Sequence, residues 1–255
     1  MPDWRDSCAY ATLLELERSG FAWEWLRRDE GYRRAFDTAQ VSASGEARLR
    51  RDAFAPAAAE AWGLHAFEDP DRASPCARPV WRAGRYALVL SAFASPGRGD
   101  DAFDLGLAAS HATVLDGGCA QHVLLSDGWR SIRLDVRGEQ LAAGPVLLHY
   151  RLAGRSSAEG PLLVLNRLLG FLKHGRMPRR LFTREARAAR WVLLLRTADA
   201  LAAGATQRDI AAVLLAGPMG ARWRVEAGSV RSRAQRLVRL ARHASRGGYV
   251  NFLRC

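Results

Sequence analysis

The sequence predicts an α+β protein in which helices at both ends of the chain flank a strand-rich middle. Apolar residues recur with helical spacing before residue 68 and after residue 156, whereas alternating patterns and glycine turn pairs dominate the middle. Prolines gather at Pro70, Pro75 and Pro79, as in a connector. We therefore expect a small helical domain over residues 1–68, an antiparallel β meander over residues 80–155, and a basic helical domain over residues 156–255.

The first domain is predicted to contain helices at residues 6–18, 21–36 and 46–62, with Gly20 ending the first and Pro56 interrupting the third. Its aromatic residues are typical of a small core. A stacking platform for single-stranded nucleic acid is the weaker alternative, because the local charge is balanced. These aromatic residues are Trp4, Tyr10, Phe21, Trp23, Trp25, Tyr32 and Phe36.

The middle region is predicted to form five strands, joined at Asp116-Gly117-Gly118 and Asp127-Gly128 by tight hairpin turns. The expected strands cover residues 86–91, 111–116, 121–126, 129–136 and 145–152. Aspartate and histidine residues are frequent here, but the aspartates begin turns and the histidines lack ligand spacing, so no metal site is predicted. An apolar helix at residues 161–174 follows.

The C-terminal domain has a helix-turn-helix-like pattern. A helix from Thr183 to Ala203 ends at Gly204, and Thr206 with Asp209 forms a capping-box-like start for a short helix. Gly217-Pro218 ends that helix, and Ser229 is the predicted N-cap of a long basic helix. The connector before Ser229 is longer than the three or four residues of a compact unit. Either Ala221–Arg224 forms an extra turn, or the recognition unit is not of the standard three-helix kind.

The predicted basic helix over residues 229–245 has two different sides. Its apolar side comprises Val230, Ala234, Leu237, Val238 and Ala241. The opposite side carries arginines and other polar residues, including His243, and Arg233 lies at the boundary between the two sides. Arginine recognises guanine and phosphate, and a helix fits the major groove of DNA. A solvated surface helix is the alternative. The predicted DNA contacts are Thr206, Gln207, Arg208, Arg231, Ser232, Gln235, Arg236, Arg239 and Arg242.

Positive charge is concentrated at this end of the chain. Residues 161–255 hold 19 Arg/Lys and 4 Asp/Glu, a net charge of +15, within a chain of net charge +12. This concentration favours double-stranded DNA as the partner over an anionic membrane, because the basic helix lacks an aromatic anchor. Lys173 is the only lysine, which suggests a high-GC genome and limits the meaning of any single arginine.

Other function classes are not favoured. The four cysteines form no CxxC pair, and neither a signal peptide nor a membrane span is recognisable, so a cytoplasmic, nucleoid-associated protein is expected. We find no nucleophile–base pair, P-loop or carboxylate cluster, so we expect no enzymatic activity and no cofactor. A protein-interaction module whose basic helix meets an acidic partner remains the alternative function.

Both ends of the chain resemble regulators of integrative and conjugative elements. Asp3-Trp4-Arg5-Asp6 and Phe21–Arg28 resemble a proteobacterial transcriptional regulator-like domain, and Thr206–Ala211 with Ser229–Arg233 resembles a C-terminal domain of the FseA/QseM-type family. The resemblance implies a two-part transcriptional activator of excision or transfer genes. It also implies RNA polymerase or a small antiactivator protein as partners, and leaves a homodimer open.

Overall fold

A computed structural model describes residues 2–44, 56–216 and 228–254. The predicted α+β class is confirmed, with helices at the N-terminal end, a five-stranded sheet in the middle and helices at the C-terminal end. Most of the predicted helix 46–62, the Gly217-Pro218 stop and the Ala221–Arg224 connector lie outside the described residues. No helix of the described part is long and apolar enough to cross a bilayer.

Contacts divide the chain into two units that do not follow chain order. The first unit joins Met1–Asp29 to Arg184–Phe252, and the second joins Glu30–Thr183 to Leu253–Cys255. Residues 2–29 are called the N-terminal arm below. The boundaries expected from the sequence, at residues 68, 80 and 156, stay a prediction.

Several described helices differ from the predictions in their ends or type, and the predicted helix 21–36 is divided into two. Gly20 lies inside a helix instead of ending one, while Pro56 begins a helix, where its missing N–H costs nothing. A 3-10 helix, Cys8–Glu15, replaces the first predicted α-helix. The α-helices are α1 (Arg18–Leu26), α2 (Glu30–Ser44), α3 (Pro56–Glu60), α4 (Glu159–His174), α5 (Ala188–Ala202), α6 (Gln207–Ala211), α7 (Gly228–His243) and α8 (Val250–Leu253).

The sheet lies in the second unit and has the strand order β2-β3-β4-β1-β5. The antiparallel meander is confirmed for β2–β3–β4, but β1 pairs with β4 in parallel, because β1 precedes the meander and inserts between β4 and β5. The first predicted strand, residues 86–91, begins later than expected. The strands are β1 (Leu90–Pro96), β2 (Ala112–Asp116), β3 (Gln121–Ser126), β4 (Ser131–Gly138) and β5 (Val146–Arg151).

One side of the sheet is covered by α4. Val164, Leu168 and Phe171 of this helix are buried against the inward residues of the strands, including Leu134 and Val136. The helix ends at Gly175, whose φ of 63° provides the left-handed residue that closes many helices. This packing fixes the position of the basic segment that follows Gly175.

The first unit is built around the aromatic residues of the N-terminal arm. Phe21 meets the edge of Trp191 at 5.0 Å between ring centroids, and Trp25 stacks on Phe252 at 6.3 Å. Trp4 is 2% exposed and packs with Ala200, Ile210 and Val238. The predicted small aromatic core therefore includes residues from the other end of the chain.

A buried ionic network also joins the arm to α5. Asp199 accepts hydrogen bonds from the Tyr10 hydroxyl at 2.6 Å and from Arg28 Nε at 2.8 Å. Arg28 also pairs with Glu24 of α1, the helix that ends two residues before it. Burial and the bond to Asp199 raise the pKa of Tyr10, and burial of Glu24 is outweighed by Arg28 and Arg27, which lower its pKa. The Glu24 carboxylate therefore stays charged in this interior, paired with Arg27 and Arg28.

Candidate nucleic-acid interface

The basic helix α7 is held in place by its apolar side. Ala234 and Ala241 are fully buried and Val238 is 3% exposed, as the predicted wheel requires. Val238 packs with Ala200 of α5 and Ile210 of α6, and Ala234 packs with Ala211 of α6. Small side chains let the helix axes approach closely, so α7 is anchored on two helices.

The opposite side of α7 is exposed. Arg231, Ser232, Gln235, Arg236, Arg239 and Arg242 are all exposed, and so is Arg233 at the boundary. Within the described part of the chain, Arg233, Arg236, Arg239 and Arg242 form no ion pair with a carboxylate. Positions 231 to 242 span roughly 16 Å of helix at 1.5 Å per residue. The helix thus presents a row of guanidinium groups without an acidic residue between Gly228 and His243.

The start of α7 differs slightly from the prediction. The helix begins at Gly228, so Ser229 lies in its first turn, and Ser232 Oγ donates to the Gly228 carbonyl at 3.0 Å. Helix ends vary by one or two residues with the criterion used. This difference in the first residue of α7 does not change the side of the helix on which each arginine lies.

The predicted capping box at the start of α6 is confirmed. Asp209 N–H donates to Thr206 Oγ1 at 3.3 Å, and Thr206 N–H donates to the Asp209 carboxylate at 2.9 Å. The Thr206 hydroxyl also donates to Asp209, and this bond is the main cause that lowers the pKa of Asp209. Thr206, Gln207 and Arg208 are exposed. The Thr206 hydroxyl, however, already forms the hydrogen bonds of the cap and lies next to the Asp209 carboxylate. Its predicted phosphate contact stays a prediction.

The turn between α5 and α6 has the compact form of a helix-turn-helix unit. It runs from Ala203 to Thr206, with Gly204 at a φ of 76°. α5 begins at Ala188 and not at Thr183, because Arg184 and Glu185 pair with Glu15 and Arg18 of the N-terminal arm. The sequence pattern did not indicate that the arm supports this unit, because the pairing partners lie more than 160 residues apart.

A second polar cluster lies on the sheet, away from α4. The cross-strand partners His122 and Asp135 form a 2.6 Å hydrogen bond through His122 Nδ1, and the ring of His65 stacks on His122 at 3.4 Å. Arg133 is 1% exposed and donates to Asp135 at 2.7 Å and to the Trp81 carbonyl at 3.0 Å. The prediction missed this cluster, although counting outward from the Asp127-Gly128 turn pairs position 122 with position 135.

The cluster does not have the geometry of a metal centre. Within the described residues, ligand atoms of His65, His122 and Asp135 lie within 4.8 Å of one another. However, the two rings are only 25° from parallel, and imidazole lone pairs lie in the ring plane, so they do not converge on one ion. The Arg133 cation also bonds the same Asp135 oxygen as His122 does. We interpret the cluster as a structural polar network.

The cluster predicts acid sensitivity of the fold. Burial, followed by the charges of His122 and Arg133, lowers the pKa of His65 to about 3, although the Asp135 carboxylate opposes the shift. Below the ordinary value near 6.5, the unfolded chain takes up a proton that the folded chain does not. Stability is therefore present above pH ~6.5 and lost as the pH falls towards 3.

We expect His65→Gln to flatten the dependence of the unfolding midpoint on pH between pH 7 and 5. The effect should stay below about 1.4 kcal/mol per pH unit, the limit for one whole proton, because solvent screens the half-buried ring. Urea unfolding at several pH values measures it. His149→Gln, at an exposed histidine of β5, is the control, and equal slopes for both variants would contradict the assignment.

Two regions of the chain match known protein families. Residues 3–65 match the proteobacterial transcriptional regulator-like domain. Residues 155–254 match the DNA-binding domain of a type VI secretion system transcription factor, RovC. A search of curated proteins found no match.

The second match contains all nine predicted contact residues and the whole of α7. Together, the two matched domains indicate a DNA-binding transcriptional regulator. The matched regions do not coincide with the units, because the first unit combines residues 3–29 of one match with residues 184–252 of the other. The DNA-binding helices therefore share a core with part of the regulator-like domain.

Proposed function

We propose that this DNA-binding transcriptional regulator is a sequence-specific activator that places the exposed side of α7 in the major groove of its operator. The observation that carries the proposal is the division of α7 into a buried side of Ala234, Val238 and Ala241 and an exposed row of arginines. The buried side of such a helix is held by its packing against the core of the domain. The exposed side presents its guanidinium groups to solvent, where they can contact a polyanion.

The exposed side chains suit both kinds of DNA contact. Arginine donates two hydrogen bonds to guanine O6 and N7, and Gln235 is able to do the same with adenine N6 and N7. Other arginines of the row would pair with phosphates, which position a protein without reading sequence. Gln207 and Arg208, at the start of α6, would contact the backbone beside the groove. In this proposal Ser232 contributes a smaller hydrogen bond.

The proposal extends to the genes under control. The resemblance of both ends to regulators of integrative and conjugative elements supports an activator of excision or transfer genes, associated with the nucleoid. We expect activation to need a contact with RNA polymerase, and the second unit, to which α7 does not belong, is the proposed surface for it or for a small antiactivator. A homodimer would bind two half-sites. We propose binding, and not catalysis, as the activity.

The test is footprinting and in vitro transcription with the full chain on promoters of element excision and transfer genes. We expect a protected site and more transcript than without the protein. We also expect the logarithm of the binding constant to fall linearly with the logarithm of the salt concentration, with a slope of about −0.9 for each phosphate contacted. Protection no stronger than on random duplex would refute DNA recognition. Protection with less transcript would refute only the activator role.

The alternative function, binding of an acidic partner protein, predicts a different experimental result. If α7 serves an acidic partner protein, the chain should co-purify with that protein after nuclease treatment, and DNA should have no effect on the complex. Repeating the purification with Arg236→Ala and Arg239→Ala links either outcome to the arginine row.

A further inference from the structure

A basic pocket of about 820 Å³ lies in the second unit, to which α7 does not belong. It forms where the end of α4 and the basic segment after it meet the turn between β3 and β4. The lining residues are His111, Asp127, Arg130, Gly170, His174, Arg176, Met177, Pro178, Arg179, Arg180 and Leu181.

The pocket holds positive charge that the chain does not neutralise. Arg176, Arg179 and Arg180 are exposed, and none of them forms an ion pair among the described residues. Asp127 is the one carboxylate of the lining, and it is already occupied: Oδ2 accepts from Arg130 Nη1 at 2.9 Å, and Oδ1 accepts from the Arg130 backbone N–H at 2.8 Å. A bound anion would relieve the mutual repulsion of the remaining guanidinium groups.

The wall of the pocket is firm and partly apolar. Met177 is 5% exposed and belongs to the core under the sheet, and Leu181 packs against the same core. Pro178 lies so close to Gly170 that a Cβ at position 170 would be 2.9 Å from Pro178 Cγ. The ring of His111 meets the edge of Phe171 at 5.4 Å. The arginines therefore lie beside a well-packed apolar surface against which a planar ring system could stack.

We propose that this pocket binds a phosphorylated small molecule of nucleotide size. The phosphates would pair with Arg176, Arg179 and Arg180, and the ring system would lie against Pro178 and Leu181. The volume falls within the range of about 300–1,000 Å³ typical of small-molecule sites. A DNA duplex carries its phosphates on a convex surface, so a concave site favours a small anion. The regulator would then carry a ligand site separate from α7.

The test is calorimetric titration of the full chain, without DNA and at constant ionic strength, with ATP, inorganic pyrophosphate and adenosine. We expect ATP to bind, pyrophosphate to bind more weakly, and adenosine not to bind measurably. Combined Arg179→Ala and Arg180→Ala should weaken ATP binding by about tenfold or more, since hydrogen bonds between two charged groups are among the strongest in proteins. The matched double variant Arg98→Ala and Arg151→Ala, at exposed arginines outside the pocket, should change it less than twofold.

The opposite results overturn the proposal. No ATP binding, or equal losses in both double variants, would mean that the pocket is not a nucleotide-sized site. The DNA affinity of the Arg179/Arg180 variant, measured separately, should match that of the wild-type chain. A fall in DNA affinity without ATP binding would assign these arginines to the DNA backbone instead. Because the titration contains no DNA, failure here leaves the proposed role of α7 unaffected.

Discussion

A fragment of residues 155–254 is expected not to fold cooperatively on its own, although it spans the whole region that matches a DNA-binding domain. The fragment lacks the N-terminal arm, whose Trp4, Tyr10 and Phe21 are at most 2% exposed in the first unit. Removing one large buried aromatic side chain costs about 3–5 kcal/mol. The loss of three such side chains would therefore cost about as much as the whole free energy of unfolding of a typical domain, which is about 5–15 kcal/mol.

Circular dichroism and urea unfolding of the full chain and the fragment measure this effect, together with DNA affinity. Supplying residues 2–29 as a separate peptide should restore part of the helical signal and of the DNA binding. A fragment that unfolds in one sharp transition, with the DNA affinity of the full chain, would show that the arm is dispensable.

A single substitution tests the same dependence within the intact chain. Asp199→Asn should destabilise the first unit by about 3 kcal/mol or more, because Arg28 is left buried without its second carboxylate. Asp37→Asn, at an exposed position of α2, is the matched control and should change stability by less than about 0.5 kcal/mol. Equal effects of the two substitutions would contradict the network described for Asp199.

Substitution of Arg239 by alanine is expected to weaken operator binding strongly while leaving the fold intact. The side chain is exposed and unpaired by carboxylates among the described residues, so its loss should hardly change the unfolding midpoint. A base-contacting arginine is worth about 1–3 kcal/mol, or roughly five- to 150-fold in Kd. A phosphate-contacting arginine would instead weaken all duplexes alike and lower the salt slope by about one.

Fluorescence anisotropy at several salt concentrations separates these two cases for Arg231, Arg236, Arg239 and Arg242 in turn. Arg151→Ala removes the same charge from an exposed site of the second unit and serves as the control. If Arg151→Ala weakens binding as much as the α7 variants do, only net charge matters and the recognition helix has been misassigned.

Local features were predictable from the sequence because their causes are local. The Thr206–Asp209 capping box, the left-handed Gly204 and the two sides of α7 each depend on residues within a few turns. Strand β3 was predicted with its observed bounds, because turn pairs mark both of its ends. The exposure of all nine predicted contact residues agrees with these patterns, while their contact with DNA stays a prediction.

Long-range pairing was not predictable from the same patterns. Tyr10 and Asp199 are 189 positions apart, and nothing in either neighbourhood indicates the other. The parallel pairing of β1 with β4 is likewise a property of the whole sheet. The ring stack of His65 on His122 depends on the path of the connector between α3 and β1. A sequence window contains none of these relations.

The joining of Met1–Asp29 to Arg184–Phe252 has a consequence for synthesis on the ribosome. At about 5–20 residues per second, the arm emerges on the order of ten seconds before its packing partners, and its tryptophans stay unpacked during that time. A transcript cut short before those partners would yield chains in which the arm has no core to join. Synthesis as far as Phe252 is thus a condition for completing the core of the first unit.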